Sequence, residues 1–139
     1  MKQDDSINDY LAHLLAQANR RLGRALNAQG VPLDQWRILR VLHETGGMTM
    51  RALADAVTLN RPTMTKIVDK LVMEGLAYRV PDPQDRRKVR IFLSDQGKAL
   101  YREQHARVTS HQAGVENSYG QDETQQLKHL LEDLLKRIN

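Results

Sequence analysis

The stretch RVPDPQDRRKVRIFLS, residues 79–94, carries four basic side chains in five positions: Arg86, Arg87, Lys88 and Arg90. Cations this close repel one another unless an anion lies among them, so the chemistry on offer is anion binding. Pro81 and Pro83 stiffen the approach to the cluster, and Asp82 and Asp85 can bond locally to hold a turn. A stiff loop with arginine at its end suits a DNA minor groove, where negative potential is focused. Arginine suits that confinement better than lysine because its planar head is weakly hydrated. The plainer alternative is a solvated basic turn.

A second set of candidates lies upstream. RPTMTKIVDKLVME, 61–74, reads as a helix with Met64, Ile67, Val68 and Leu71 on one apolar face. Arg61, Thr63, Thr65, Lys66 and Lys70 are left for the outer face. Arg and Lys can pair with guanine edges, and Thr can touch thymine methyls or phosphates. Pro62 falls in the first turn, where a missing N–H costs nothing.

These residues need elements to hold them. TMRALADAVT, 49–58, reads as a short helix capped by Thr49, with Leu53, Ala54 and Val57 inward, and TLN makes the turn to the next helix. Leu76–Val80 and Val89–Leu93 read as two strands. Val89, Ile91 and Leu93 alternate onto one face, with Tyr78 and Val80 expected to face them across the pair. Two helices joined by a three-residue turn, then a hairpin, make a winged helix-turn-helix, whose second helix enters the major groove.

Around this centre the periodicity predicts further helices. One spans 6–29, with Ser6 as N-cap and Gly30 and Pro32 beyond its end; another spans 33–45 and stops at Gly46-Gly47. Ser94 starts a fifth helix to about 113, GVENSYGQD interrupts, and a last helix covers 122–138. The predicted order is α-α-α-α-β-β-α-α, mainly α with a small hairpin wing, in one domain of 139 residues. The terminal helices carry apolar stripes: Ile7, Leu11 and Leu14, then Leu127, Leu130, Leu131, Leu134, Leu135 and Ile138. Stripes left over after folding mark an interface, so an intertwined homodimer is expected; a monomeric bundle of the three terminal helices is the alternative.

Charge placement points the same way. The net charge of +4 is distributed as +1 over residues 1–48, +4 over 49–93 and −1 over 94–139. A basic zone confined to the middle third predicts a polyanion partner. The chain has no cysteine, which removes disulfides, thiolate metal sites and thiol redox sensing. His105 and His111 are six apart, on different helix faces, so neither a metal nor any other cofactor is expected. No apolar run approaches the roughly 18 residues of a membrane span, and MKQDDSINDYLAHLL lacks a signal-peptide pattern. The expected location is cytoplasmic, with no membrane partner. Catalytic motifs are absent: HETGG stops two letters into a zinc-protease motif, and GK at 97–98 lacks the glycine a phosphate loop needs. An enzyme is therefore not expected.

The residues resemble a family. DPQDRRKVRIFLSDQG, 82–97, is similar to the wing signature of MarR-type transcriptional regulators, a D-x-R tip leading to a strand and then L-[T/S]-x-x-G. LDQWRILRVL, 33–42, and MTMRALADAVTLNRPTMTKIVDKLVMEGLAYR, 48–79, resemble the helices before and within that family's DNA-reading pair. The resemblance covers essentially the whole chain. It implies a homodimer that binds pseudo-palindromic operators, most often as a repressor. The implied lobes are 33–93 for DNA binding and 1–30 with 94–139 for dimerisation. Asp85 and Arg87 match the D-x-R tip, with Arg87 the implied minor-groove residue and Asp85 its orienter. Arg86 and Lys88 flank it. Arg61, Thr63, Thr65 and Lys66 fall where the family's helix reads bases, while Thr49 and Arg51 can reach phosphates. Asp69 is acidic on this helix and is expected to pair with a wing arginine. Pro62 departs from the family, where many members carry a small polar residue.

The resemblance also implies release from DNA by a small phenolic or carboxylate ligand held between the lobes. Tyr10, His13, Trp36, Arg40, Tyr101 and His105 are the candidates for such a site. Each also has an ordinary role open to it, as core for Trp36 and Tyr10 and as surface for the histidines. An architectural DNA binder without a dedicated operator would share the same basic surface.

Overall fold

The computed structural model describes residues 6–138. A 3-10 turn, Ile7–Asp9, precedes α1 (Leu11–Ala28) and α2 (Leu33–Thr45). Then come β1 (Met48–Thr49), α3 (Met50–Val57), α4 (Arg61–Met73), β2 (Ala77–Pro81) and β3 (Val89–Leu93). The long α5 (Asp95–Tyr119) and α6 (Gln121–Arg137) complete the chain. It is mainly helical with one small antiparallel sheet, as the periodicity predicts. Two compact units divide between His105 and Ala106.

The core lies in the middle of the chain. Its largest fully buried side chains are Val31, Ile38, Leu39, Leu42, Leu53, Met64, Val68, Leu71 and Ile91. Each contributes roughly 1.5–3 kcal/mol by leaving water. Met64, Val68 and Leu71 are the inner face of α4, so burying them forces Thr65 and Lys66 outward. Thr49 caps α3 by accepting from the Ala52 N–H at 3.2 Å. Asn60 caps α4 by accepting from the Thr63 N–H at 2.9 Å. The turn between them closes on Thr58, which takes a left-handed φ of 58°.

The structure departs from the sequence expectation in several places. The first predicted helix is split: Ser6 caps only the 3-10 turn, through the Asn8 N–H, and Tyr10 in extended backbone opens α1. The hairpin has a third strand, β1, which pairs Met48 with Ile91 and Thr49 with Arg90, giving the order β1-β3-β2. The hairpin register pairs Ala77 with Leu93 and Arg79 with Ile91, so Tyr78 and Val80 lie on the opposite face from Ile91 and Leu93. Tyr78 stacks on Phe92 instead, ring centroids 5.6 Å apart. Finally, α5 does not break at Gly114. Nothing crowds that glycine, and a lone helical Gly costs only about 1 kcal/mol. The chain turns at Gly120, whose φ of 117° disfavours other residues.

Two hydrogen bonds of Ser94 tie the start of α5 to the turn between α4 and β2. Its hydroxyl donates to the Gly75 carbonyl at 2.6 Å and accepts from the Gly97 N–H at 3.1 Å. Ser94 is thus the cap before α5 rather than its first residue.

Candidate nucleic-acid interface

The loop between β2 and β3 is held by its two aspartates. The Asp82 N–H donates to the Lys88 carbonyl at 2.9 Å, and the Lys88 N–H donates to the Asp85 carbonyl at 2.9 Å. The Asp82 carboxylate accepts from the Gln84 N–H at 2.8 Å and from Arg90 Nε at 3.3 Å. The Gln84 bond, then Arg90, holds its pKa below the usual 3.8. Asp85 accepts from the Arg87 N–H and from Arg87 Nε, both at 3.1 Å. The Arg87 guanidinium leads the causes that lower the Asp85 pKa. The expected Asp85–Arg87 contact is therefore present. Arg87 itself remains 91% exposed, so it is aimed without being consumed.

The four clustered cations thus divide by task. Arg90 turns back to Asp82 and braces the base of the loop. Arg86, Arg87 and Lys88 face solvent. Asp69 pairs with Arg79 of β2, which joins α4 to the base of the wing.

On α4, Arg61, Pro62, Thr65, Lys66 and Lys70 are exposed and Thr63 is half-buried. Pro62 has no N–H, and the Thr63 N–H is given to Asn60. The backbone at this helix end therefore has little beyond the Arg61 N–H for an anion, and the side chains must supply the rest. Arg61 meets the wing at a shared cavity of about 360 Å³, lined by Thr49, Met50, Arg51, Arg61, Arg87, Lys88 and Val89. Residues from β1, α3, α4 and the wing converge on it, four of them cationic. Among the described residues, no group of His and carboxylates is arranged to hold a metal.

The candidate ligand residues separate into groups. Trp36 and Arg40 line a cavity of about 540 Å³ with Asn19, Arg37, Glu44 and Thr58. The Arg40 guanidinium lies 5.4 Å from the Trp36 ring centroid and donates to Glu44 at 2.8 Å. Trp36 Nε1 is buried without a hydrogen-bond partner. Tyr101 and His105 come together elsewhere, centroids 5.5 Å apart, and Tyr101 stacks at 4.3 Å on His43. Sequence reasoning missed His43, because its aromatic partner lies far along the chain. Tyr10 and His13 sit at the start of α1 and enter neither the cavity lining nor the ring stack. The apolar stripes stay uncovered on the single chain: Ile7, Leu11, Leu14, Leu127, Leu130, Leu135 and Ile138 are exposed, while Leu131 and Leu134 are half-buried.

Comparison with known proteins agrees with this geometry. The MarR family model matches residues 31–89, the span from the end of α1 to the start of β3. The homoprotocatechuate degradative operon repressor of Escherichia coli is 34% identical over 102 residues, covering 73% of this chain and 69% of its own. Among solved structures, the transcriptional regulator PA4135 superposes with a TM-score of 0.83 at 27% identity, over 94% of this chain and 98% of its own. NadR in complex with 4-hydroxyphenylacetate superposes with a TM-score of 0.76 at 29% identity, over 99% of both chains. With its reading helix, wing and matched span in place, the chain belongs to the MarR family of transcriptional regulators.

Proposed function

We propose that two copies of this chain bind one pseudo-palindromic operator and repress transcription until a small aromatic carboxylate releases them. The observation that carries the reading is the pairing of an exposed Thr/Lys/Arg face on α4 with an arginine tip aimed by Asp85. Residues 33–93 form the DNA-binding lobe, and 1–30 with 94–139 the dimerisation lobe. Arg61, Thr63, Thr65, Lys66 and Lys70 address the major groove, with Pro62 setting the entry of the helix. Arg86, Arg87 and Lys88 address the flanking minor groove, and Thr49 and Arg51 take phosphates between them. The exposed leucines of α1 and α6 supply the dimer contact. Half-sites lie about one helical turn apart, roughly 34–36 Å. No catalytic step is involved.

The effector reading centres on Trp36 and Arg40. An aromatic ring can lie against the indole while its carboxylate competes with Glu44 for the Arg40 guanidinium. The presence of 4-hydroxyphenylacetate in the NadR structure supports that ligand class.

The test is fluorescence anisotropy with the duplex upstream of the chain's own gene against a scrambled duplex, over a salt series. Preference of roughly 10³ or more with a steep salt slope is the expected result. Equal, weak binding to both duplexes would instead indicate an architectural binder. Adding 4-hydroxyphenylacetate should weaken operator binding, and Arg40→Ala should abolish that response.

A further inference from the structure

The exposed face of α4 has two flanks, and only one of them meets the wing. Arg61 and Lys70 are nine residues apart, which places them about 180° apart around the helix axis. Thr65 and Lys66 fall on the arc between them, opposite the buried Met64, Val68 and Leu71. A helix seated in a major groove presents its outer arc to the bases and its two flanks to the phosphates of opposite strands. Arg61 is joined on its flank by Arg51, Arg87 and Lys88. Lys70 is joined on the other by a second cavity, of about 520 Å³, whose charged lining includes Arg20 and Arg24 from α1.

That second cavity is built by chain packing. Arg20 and Arg24 are one helical turn apart on the same side of α1. Gly23 between them lies close to Leu33, where an added Cβ would sit 3.5 Å from Leu33 Cδ2, so α1 runs tight against the start of α2. Asn27 and Gln35 add neutral donors to the rim. The single carboxylate in the lining, Asp34, lies 3.6 Å from Arg37, which lessens its opposition to an anion. Lys70 has only a 4.0 Å contact with Glu74.

Resting on the DNA-binding reading above, we infer that Arg20, Arg24 and Lys70 form a second phosphate clamp, which takes the duplex backbone on the flank of α4 opposite the wing. The oxyanion is a backbone phosphodiester of the same duplex. The two clamps hold both walls of the groove and fix how α4 is rolled within it. The C-terminal half of α1 thereby becomes part of the DNA footprint.

The test compares the full-length protein with the double variant Arg20→Gln/Arg24→Gln on operator and scrambled duplexes over a salt series. The clamp predicts that the variant loses affinity about equally on both duplexes, because phosphate contacts carry no sequence information. It also predicts a log–log salt slope shallower by about 0.9 for each phosphate released, roughly 2 per dimer. The double variant Arg20→Lys/Arg24→Lys, which keeps the charge, should restore most of the slope, which a merely structural role would not require. Thermal melting of each variant separates loss of fold from loss of contact. Specific wild-type binding with an unchanged slope in the glutamine variant would overturn the clamp and leave the regulator reading intact. Absence of wild-type DNA binding would overturn both. Stabilisation of the wild type by inorganic phosphate, lost in the glutamine variant while its DNA slope is unchanged, would assign the cleft to a free anion and likewise overturn the clamp.

Discussion

Asp85 accepts hydrogen bonds from both the backbone N–H and the guanidinium of Arg87, two positions along the loop. The carboxylate therefore fixes the turn and the side chain at once. Removing each partner should have a different effect. Arg87→Ala deletes the cation, so binding should weaken about tenfold, most on A·T-rich flanks, with a salt slope shallower by about 1 per protomer, roughly 2 per dimer. Asp85→Ala keeps the cation but frees it, so the slope should hold while affinity falls by a smaller factor. Identical slopes and affinities for Arg87→Ala and wild type would remove the wing from the interface.

Lys66 lies on the outer arc of α4. Lys66→Ala should relax base preference at one operator position, read from binding to a panel of single-base operator variants. A loss spread evenly over every sequence would make Lys66 a phosphate contact instead.

Gly97 has no room for a side chain. A Cβ there would run into the Leu76 carbonyl oxygen, which is also the acceptor for the Ser94 N–H. Gly97→Ala must push α5 away from the hairpin and should cost about 2–3 kcal/mol, the usual penalty of overpacking. In a chain of this size that lowers the melting temperature by roughly 10 °C. An unchanged melting temperature would show that α5 shifts without penalty.

The wing tip should be insensitive to pH over the physiological range. Bonds from Arg87 to Asp85, and from Gln84 to Asp82, hold both carboxyls below the ordinary 3.8. A depressed folded pKa means the order these groups confer is complete above the unfolded pKa and is lost as pH falls through the folded one. Carboxyl NMR titration should find both groups ionised until below pH 3.8. A midpoint at or above 3.8 for Asp85 would mean that Arg87 is not held.

Helix boundaries near the reading pair were legible where their signals are chemical: Thr49 as the cap of α3, and Gly46 as the left-handed end of α2. The Asn60 cap of α4 was not read, because TLN was taken only as a turn. The D-x-R tip was legible for the same reason, since its partners are two residues apart. What depended on distant partners was not. The bond from Arg90 to Asp82 follows from the register of β2 on β3, and a slip of one residue moves every side chain to the other face. Tyr78 illustrates that slip: alternation set it across from Val89, Ile91 and Leu93, and the register pairs it with Phe92 on the other face. Met48 and Thr49 are too few to alternate, so β1 had no sequence signal. Gly114, Asn117 and Ser118 suggested a break by composition, yet the Glu116 carboxylate bonded to Lys128 Nζ at 3.2 Å braces α5 beyond that point.

The strand order β1-β3-β2 makes β3 the central strand, and Thr49 is at once its partner at Arg90 and the cap of α3. The wing is consequently no hinged flap. On β3, Arg90 and Ile91 are enclosed between two neighbouring strands, whereas β2 is an edge strand. Hydrogen exchange at β3 therefore requires an opening that also releases the cap of α3, and the two should exchange together as one cooperative unit. The same coupling carries a bend of the arginine tip through β3 to the first turn of the helix pair, so wing and helix pair should move as a single stiff body.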